Sequence, residues 1–184
     1  MKQAASISFA LVALALGLIF APAVSQAQPA PSYTPVPVAT PDFSSMMFST
    51  GTWNCTQMLR GSKRPNTSTT TIGMDGQWMM SQDVAPPFDK YRTVSINTTT
   101  YTTYDPTVKQ WVQLSVDTGG GYGMSTSPGW QGNTMIWTTK NLDGSSGTDT
   151  STKVSETQTT DDITSTDAQG HMTKMHIDCT KSAS

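Results

Sequence analysis

The chain has 184 residues, with 11 basic side chains against 13 acidic ones, and only two cysteines and two histidines. Charged residues make up 13% of it, about half the usual share, and a net charge of −2 excludes the basic footprint that DNA or RNA binding requires. Thr (31) and Ser (21) stand in place of charges, and a single Glu, Glu156, with little Ala or Leu beyond the N-terminus, argues against helices and for strands.

The N-terminus reads as a targeting segment. Lys2 supplies a positive start, Ile7 to Phe20 form an apolar run, and Ser25-Gln26-Ala27 places small residues where a signal peptidase reads. The pattern predicts a secretory signal over residues 1–27, cut after Ala27. No later stretch approaches the ~20 apolar residues of a membrane span. The mature protein is therefore expected in the periplasm or outside the cell, without an integral anchor. Residues 28–42 (QPAPSYTPVPVATPD) carry five prolines, a composition that favours extended chain and serves as a tether.

Residues 43–181 are long enough to bury a core as one domain. Phe43 to Thr50 (FSSMMFST) predicts a short helical turn that plugs this domain or leads into it. Ten strand-like segments come next: Thr52–Met58, Ser68–Met74, Gln77–Val84, Tyr91–Tyr104, Gln110–Asp117, Tyr122–Ser127, Thr134–Lys140, Thr150–Gln158, Asp161–Asp167 and His171–Thr180. Turn signals punctuate them, among them Asp75-Gly76, Asp105-Pro106, Gly119-Gly120-Gly121, Gly132-Asn133, Asp143-Gly144 and Gln169-Gly170. Short turns between successive strands imply an antiparallel meander.

Cys55 lies near the start of this domain and Cys179 near its end. In an exported chain a disulfide is the default reading, and it makes the first and last strands neighbours. The expected fold is thus all-β, a closed up-and-down barrel of about 8–10 strands, with an open sandwich as the competitor. Strand parity puts Trp53 and Cys55 on one face. The same rule groups His171, Thr173, Met175, Ile177 and Cys179 inward, and Met172, Lys174, His176 and Asp178 outward. The Thr and Ser are expected to solvate the outer wall.

Gly51-Thr52-Trp53 at the entrance to the first strand resembles the Gly-x-Trp signature of lipocalin-like (calycin) proteins. Tyr104-Asp105-Pro106, Trp111, Asp117, Gly119 and the Gly129/Gly132 region extend that resemblance to a bacterial calycin-like family of unknown function. It implies a barrel with a cavity and no particular activity. Haem-binding nitrobindin-like barrels also open with Gly-x-Trp and use a late histidine as iron ligand. Here His171 is the position that fits, although Asn54-Cys55-Thr56-Gln57 replaces their glycine-rich continuation.

Catalytic chemistry finds little support in the sequence. No Gly-x-Ser-x-Gly elbow or phosphate-binding loop is present, and Asp161-Asp162 point to opposite faces of a strand. His171-Met172-Thr173-Lys174-Met175-His176 carries copper-ligand types, but strand alternation splits them between two faces. Aromatic and apolar groups are the stock of small-molecule cavities. The expected ligand-lining set is Trp53, Trp78, Met80, Tyr104, Trp137, His171 and Met175, with Trp130 in the Ser127-Pro128-Gly129-Trp130 loop as a rim contact. The leading expectation is a non-catalytic barrel that binds a small, mostly apolar molecule, without metal or cofactor. An inhibitor or envelope interaction protein acting through exposed loops is the alternative, and a haem barrel using His171 a lesser one.

Overall fold

The turn chemistry and the period-two alternation build a closed barrel. The computed structural model describes residues 39–88, 90 and 92–183. The predicted signal segment and residues 28–38 of the tether lie outside these. A 3-10 turn, Ser44–Ser49, leads into β1 (Gly51–Leu59), β2 (Ser62–Gly73), β3 (Trp78–Ala85), β4 (Ile96–Asp105), β5 (Gln110–Asp117) and β6 (Tyr122–Ser127). The chain continues through β7 (Trp130–Gln131), β8 (Thr134–Lys140), β9 (Ser146–Ser155), β10 (Gln158–Thr166) and β11 (Met172–Lys181). Each strand pairs antiparallel with its sequence neighbour, except that β7 is a two-residue arm on β8 alone. Pairing of β1 with β11 and of β6 with β8 closes ten strands into a barrel. Among the described residues no helix is long and apolar enough to cross a membrane.

The closure is covalent as well as hydrogen-bonded. Cys55 and Cys179 face each other across the β1–β11 ladder and form a disulfide, which fits an oxidising compartment. Beyond the last pair, the Ser182 N–H donates to the Thr52 carbonyl at 2.8 Å.

Strands β5, β6 and β8 occupy the bounds their sequence signals predict. β2 begins at Ser62 rather than Ser68 and runs through Pro65. Pro65 is tolerated because the β2–β3 ladder starts only at Thr67, so its missing N–H faces no partner strand. The preceding turn is the two-residue Arg60-Gly61, both with positive φ (49° and 77°), as a type I′ hairpin requires. β9 and β10 sit earlier in the sequence than expected, since the chain turns at Glu156-Thr157 without Gly, Pro or Asn. That turn is held by Lys153 Nζ on Glu156 Oε1 (2.6 Å) and by the Thr157 N–H donating to Ser155 Oγ (3.2 Å).

Inside, the core divides into two clusters. Phe43 and Met46 of the N-terminal turn pack with Met79, Trp111, Met135 and Trp137. Trp53, Cys55 and Cys179 form the second, with Phe48 and Ile177 against it. The hydroxyls occupy both faces of the wall. Thr52 and Thr67 are exposed on the exterior, as expected. Cross-strand pairs Thr70–Ser81 (2.8 Å), Thr100–Ser115 (3.0 Å) and Ser125–Thr139 (2.6 Å) line the interior.

Candidate functional site: a mixed cavity between two core clusters

The buried residues of the two clusters form separate groups, joined at their edges by Phe48 and Trp130. Between them lies a cavity of about 240 Å³ whose wall takes Met46, Met79, Met135 and Trp137 from one and Trp53, Cys55, Ile177 and Cys179 from the other. An empty apolar void of that size would cost on the order of 6 kcal/mol at ~24 cal/mol per Å³. The remaining wall explains why the space persists: it is polar. Asn66, Ser68, Thr70, Ser81, Asp83, Thr102, Gln113, Ser151, Thr159 and Asp161 all open onto it.

The apolar wall is held by identifiable bonds. Trp53 is 4% exposed, and its Nε1–H donates to the Ser49 carbonyl at 2.7 Å, which ties the first strand to the 3-10 turn. Lys181 Nζ donates to the Phe48 carbonyl at 2.9 Å and lies 5.5 Å from the Trp53 ring centroid. Lys153 Nζ stands 4.4 Å from the Phe48 ring centroid, a cation–π distance. Phe48 in turn meets the Trp130 ring edge-on at 5.5 Å.

The polar wall is rich in acceptors. Asp83 (β3) accepts from Ser68, and Asp161 (β10) from Ser151, each a neighbour on the adjacent strand. Burial pushes both carboxyls above the ordinary range, and the Asp83 charge raises Asp161 further. Asp149, on the inner face of β9, is pushed up to about 8, by burial first and then by the charges of Asp161 and Asp162. Two buried polar atoms on this wall lack a protein partner, Asn66 Oδ1 and Trp130 Nε1, and Asp149 Oδ1, on the neighbouring stretch of inner wall, lacks one too. Such groups cost free energy unless something satisfies them.

The predicted lining residues divide. Trp53 and Trp137 reach the cavity. Tyr104 faces inward but packs edge-on against Trp111 at 5.4 Å as core. Trp78 and Met80 point outward, because the parity of β3 puts Met79 and Asp83 inside; Trp78 stacks edge-on with Tyr101 at 6.3 Å on the outer wall. Trp130 is no exposed rim contact but half-buried against the core, on the cavity wall. Met175 is half-buried opposite Leu59 and Ile163, outside the cavity. His171 precedes β11, in the turn rather than on its inner face. Its side chain is 79% exposed, and Nδ1 lies 2.9 Å from Asp167 Oδ2. It borders a second cavity, about 330 Å³, on the inner wall and rim formed by β8 to β11, with Thr139, Gly147, Asp149 and Thr173. His171, the position that a haem ligand would take, thus stands largely in solvent at the rim of this second cavity.

No known protein family matches the sequence, and no curated protein does. Among solved structures the chain is similar to one described as EF1p2_mFAP2b bound to DFHBI, with 13% identity and a TM-score of 0.35, covering 74% of this chain and 96% of that one. The barrel assignment rests on the strand pairing itself.

Proposed function

We propose that the protein is an exported, non-catalytic, calycin-like barrel that binds a small molecule with a mostly apolar body in the cavity between its two core clusters. The observation that carries this reading is the cavity wall. Large buried aromatics and methionines line one part, and buried polar atoms without a protein partner open onto the rest, the composition of a ligand site and not of a packed core. Its 240 Å³ lies below the ~300–1,000 Å³ that receives drug-sized ligands, so the ligand is small. Native mass spectrometry of protein purified from its own source tests the reading. The expected result is a co-purifying small molecule that leaves on denaturation; polypeptide mass alone, with no thermal stabilisation by any small aromatic compound, overturns it.

A second reading is favoured by one surface. Met80, Tyr101, Leu114 and Met124 stand opposite one another in register on the outer wall of β3 to β6, with Leu114 and Met124 43% and 53% exposed. Such a row suits contact with an envelope or extracellular protein. Retention of a partner by the native protein, lost on Leu114→Asp, would support it.

A further inference from the structure

Resting on the cavity reading above, the arrangement of its polar wall identifies the ligand's chemical class. We infer that the ligand carries a protonated amine, received by Asn66, Asp83 and Asp161 while its apolar body packs against Trp53 and Trp137.

Four observations lead there. Asn66 is 8% exposed, lines the cavity, and its Oδ1 accepts from no protein group; it calls for a donor. Asp83 and Asp161 open onto the same space and become acceptor-only groups with a full negative charge once ionised. They are close enough for the charge of one to act on the other. The described lysines near the cavity are engaged at the aromatic part, Lys153 with Glu156 and the Phe48 ring, Lys181 with the Phe48 carbonyl. Finally, among the described residues no three His, Cys, Asp or Glu side chains converge as a metal site, which favours an organic cation over a metal ion. An ammonium group supplies three N–H donors and one positive charge, and charge-assisted hydrogen bonds are the strong ones. The aromatic part of the wall takes the carbon skeleton.

Proton balance follows from the same wall. Burial raises both carboxyls and so favours their neutral form when the cavity has no cation. An entering ammonium group favours the ionised form, so a carboxyl that carries a proton gives it to solvent as the N–H···O⁻ contact forms.

The test compares three probes of one skeleton on the intact mature protein at pH 7 by calorimetry: 2-phenylethylamine, 2-phenylethanol and phenylacetate. The amine is expected to bind about tenfold or more tighter than the alcohol, with phenylacetate weakest. In Asp161→Asn and Asp83→Asn the amine's preference over the alcohol should fall to about twofold while alcohol binding persists. Equal binding of amine and alcohol to the unmodified protein overturns the amine assignment and leaves the cavity reading standing. Binding of none of the three overturns both.

Discussion

Asp149 offers the sharpest quantitative test of the barrel interior. In the unfolded chain its carboxyl titrates at the ordinary value of 3.8; folded, burial and the neighbouring Asp161 and Asp162 charges carry it to about 8. Because the folded value is the higher one, the native state holds a proton that the unfolded chain has released. Stability is therefore fully present below pH 3.8 and is lost as pH rises through about 8. In the window between, the slope is about −1.4 kcal/mol per pH unit for one proton. From pH 5 to pH 8 the loss amounts to something on the order of 3–4 kcal/mol, a large share of a stability of ~5–15 kcal/mol. Asp149→Asn removes the titration without changing the side chain's size. Urea unfolding followed by tryptophan fluorescence at pH 5, 6, 7 and 8 should show the parent's midpoint falling steadily, with the slope m constant. The variant's midpoint should fall much less, and at pH 8 the variant should be the more stable protein. Parallel pH profiles for parent and variant would refute the argument, because they would mean that Asp149 ionises in the folded state with no penalty.

Three further outcomes follow from the packing. Replacing Cys55 and Cys179 together by Ser opens a loop of 124 residues and should lower stability by about 5 kcal/mol in the chain-entropy account, measured as the urea midpoint against the oxidised parent; an unchanged midpoint contradicts a role in closing the barrel. Gly129 has φ +100°, and a Cβ there would meet Trp111 Nε1 at 3.2 Å and Cδ1 at 3.3 Å. Gly129→Ala should therefore cost roughly 1–3 kcal/mol and shift the emission of a buried tryptophan; a thermal midpoint within a degree of the parent's would refute this. Trp53→Ala removes a 4%-exposed side chain and its bond to Ser49, with an expected loss of about 3–5 kcal/mol. It should also free the 3-10 turn, read as faster amide exchange at Met46 to Thr50 than in the parent.

The sequence carried the barrel in a few particular residues. Asp105-Pro106, the Gly119-Gly121 run and Gly132-Asn133 bound β5, β6 and β8 because those residues supply turn conformations that others rarely adopt. The two cysteines announced the neighbouring of first and last strands. The turn at Glu156 was silent, since it is made by side-chain bonds within an otherwise strand-like run. The site was half legible. Trp53 follows from its alternation with Cys55, but in Met79-Met80 parity alone offers no choice, and the apolar residue that faces inward is settled by pairing with Thr102 on β4. The acid wall was harder to see because Asp161-Asp162 are adjacent in a threonine-rich strand with almost no apolar pattern to fix its register. One signal was there: Ile163 shares a face with Asp161, and a lone isoleucine in such a strand marks the inner side.

The pairing of Cys55 with Cys179 has a consequence for survival against proteases. From one cysteine to the other, backbone and disulfide together form a covalent ring that passes through every strand of the wall. The exposed hairpin tips at Gly61, Gly144 and Gly170 are the places where a protease would cut. A single nick at any of them linearises the ring but releases no fragment, so each strand stays tethered within one molecule and the ladders can re-form. Two cuts are needed before a piece of the barrel can diffuse away.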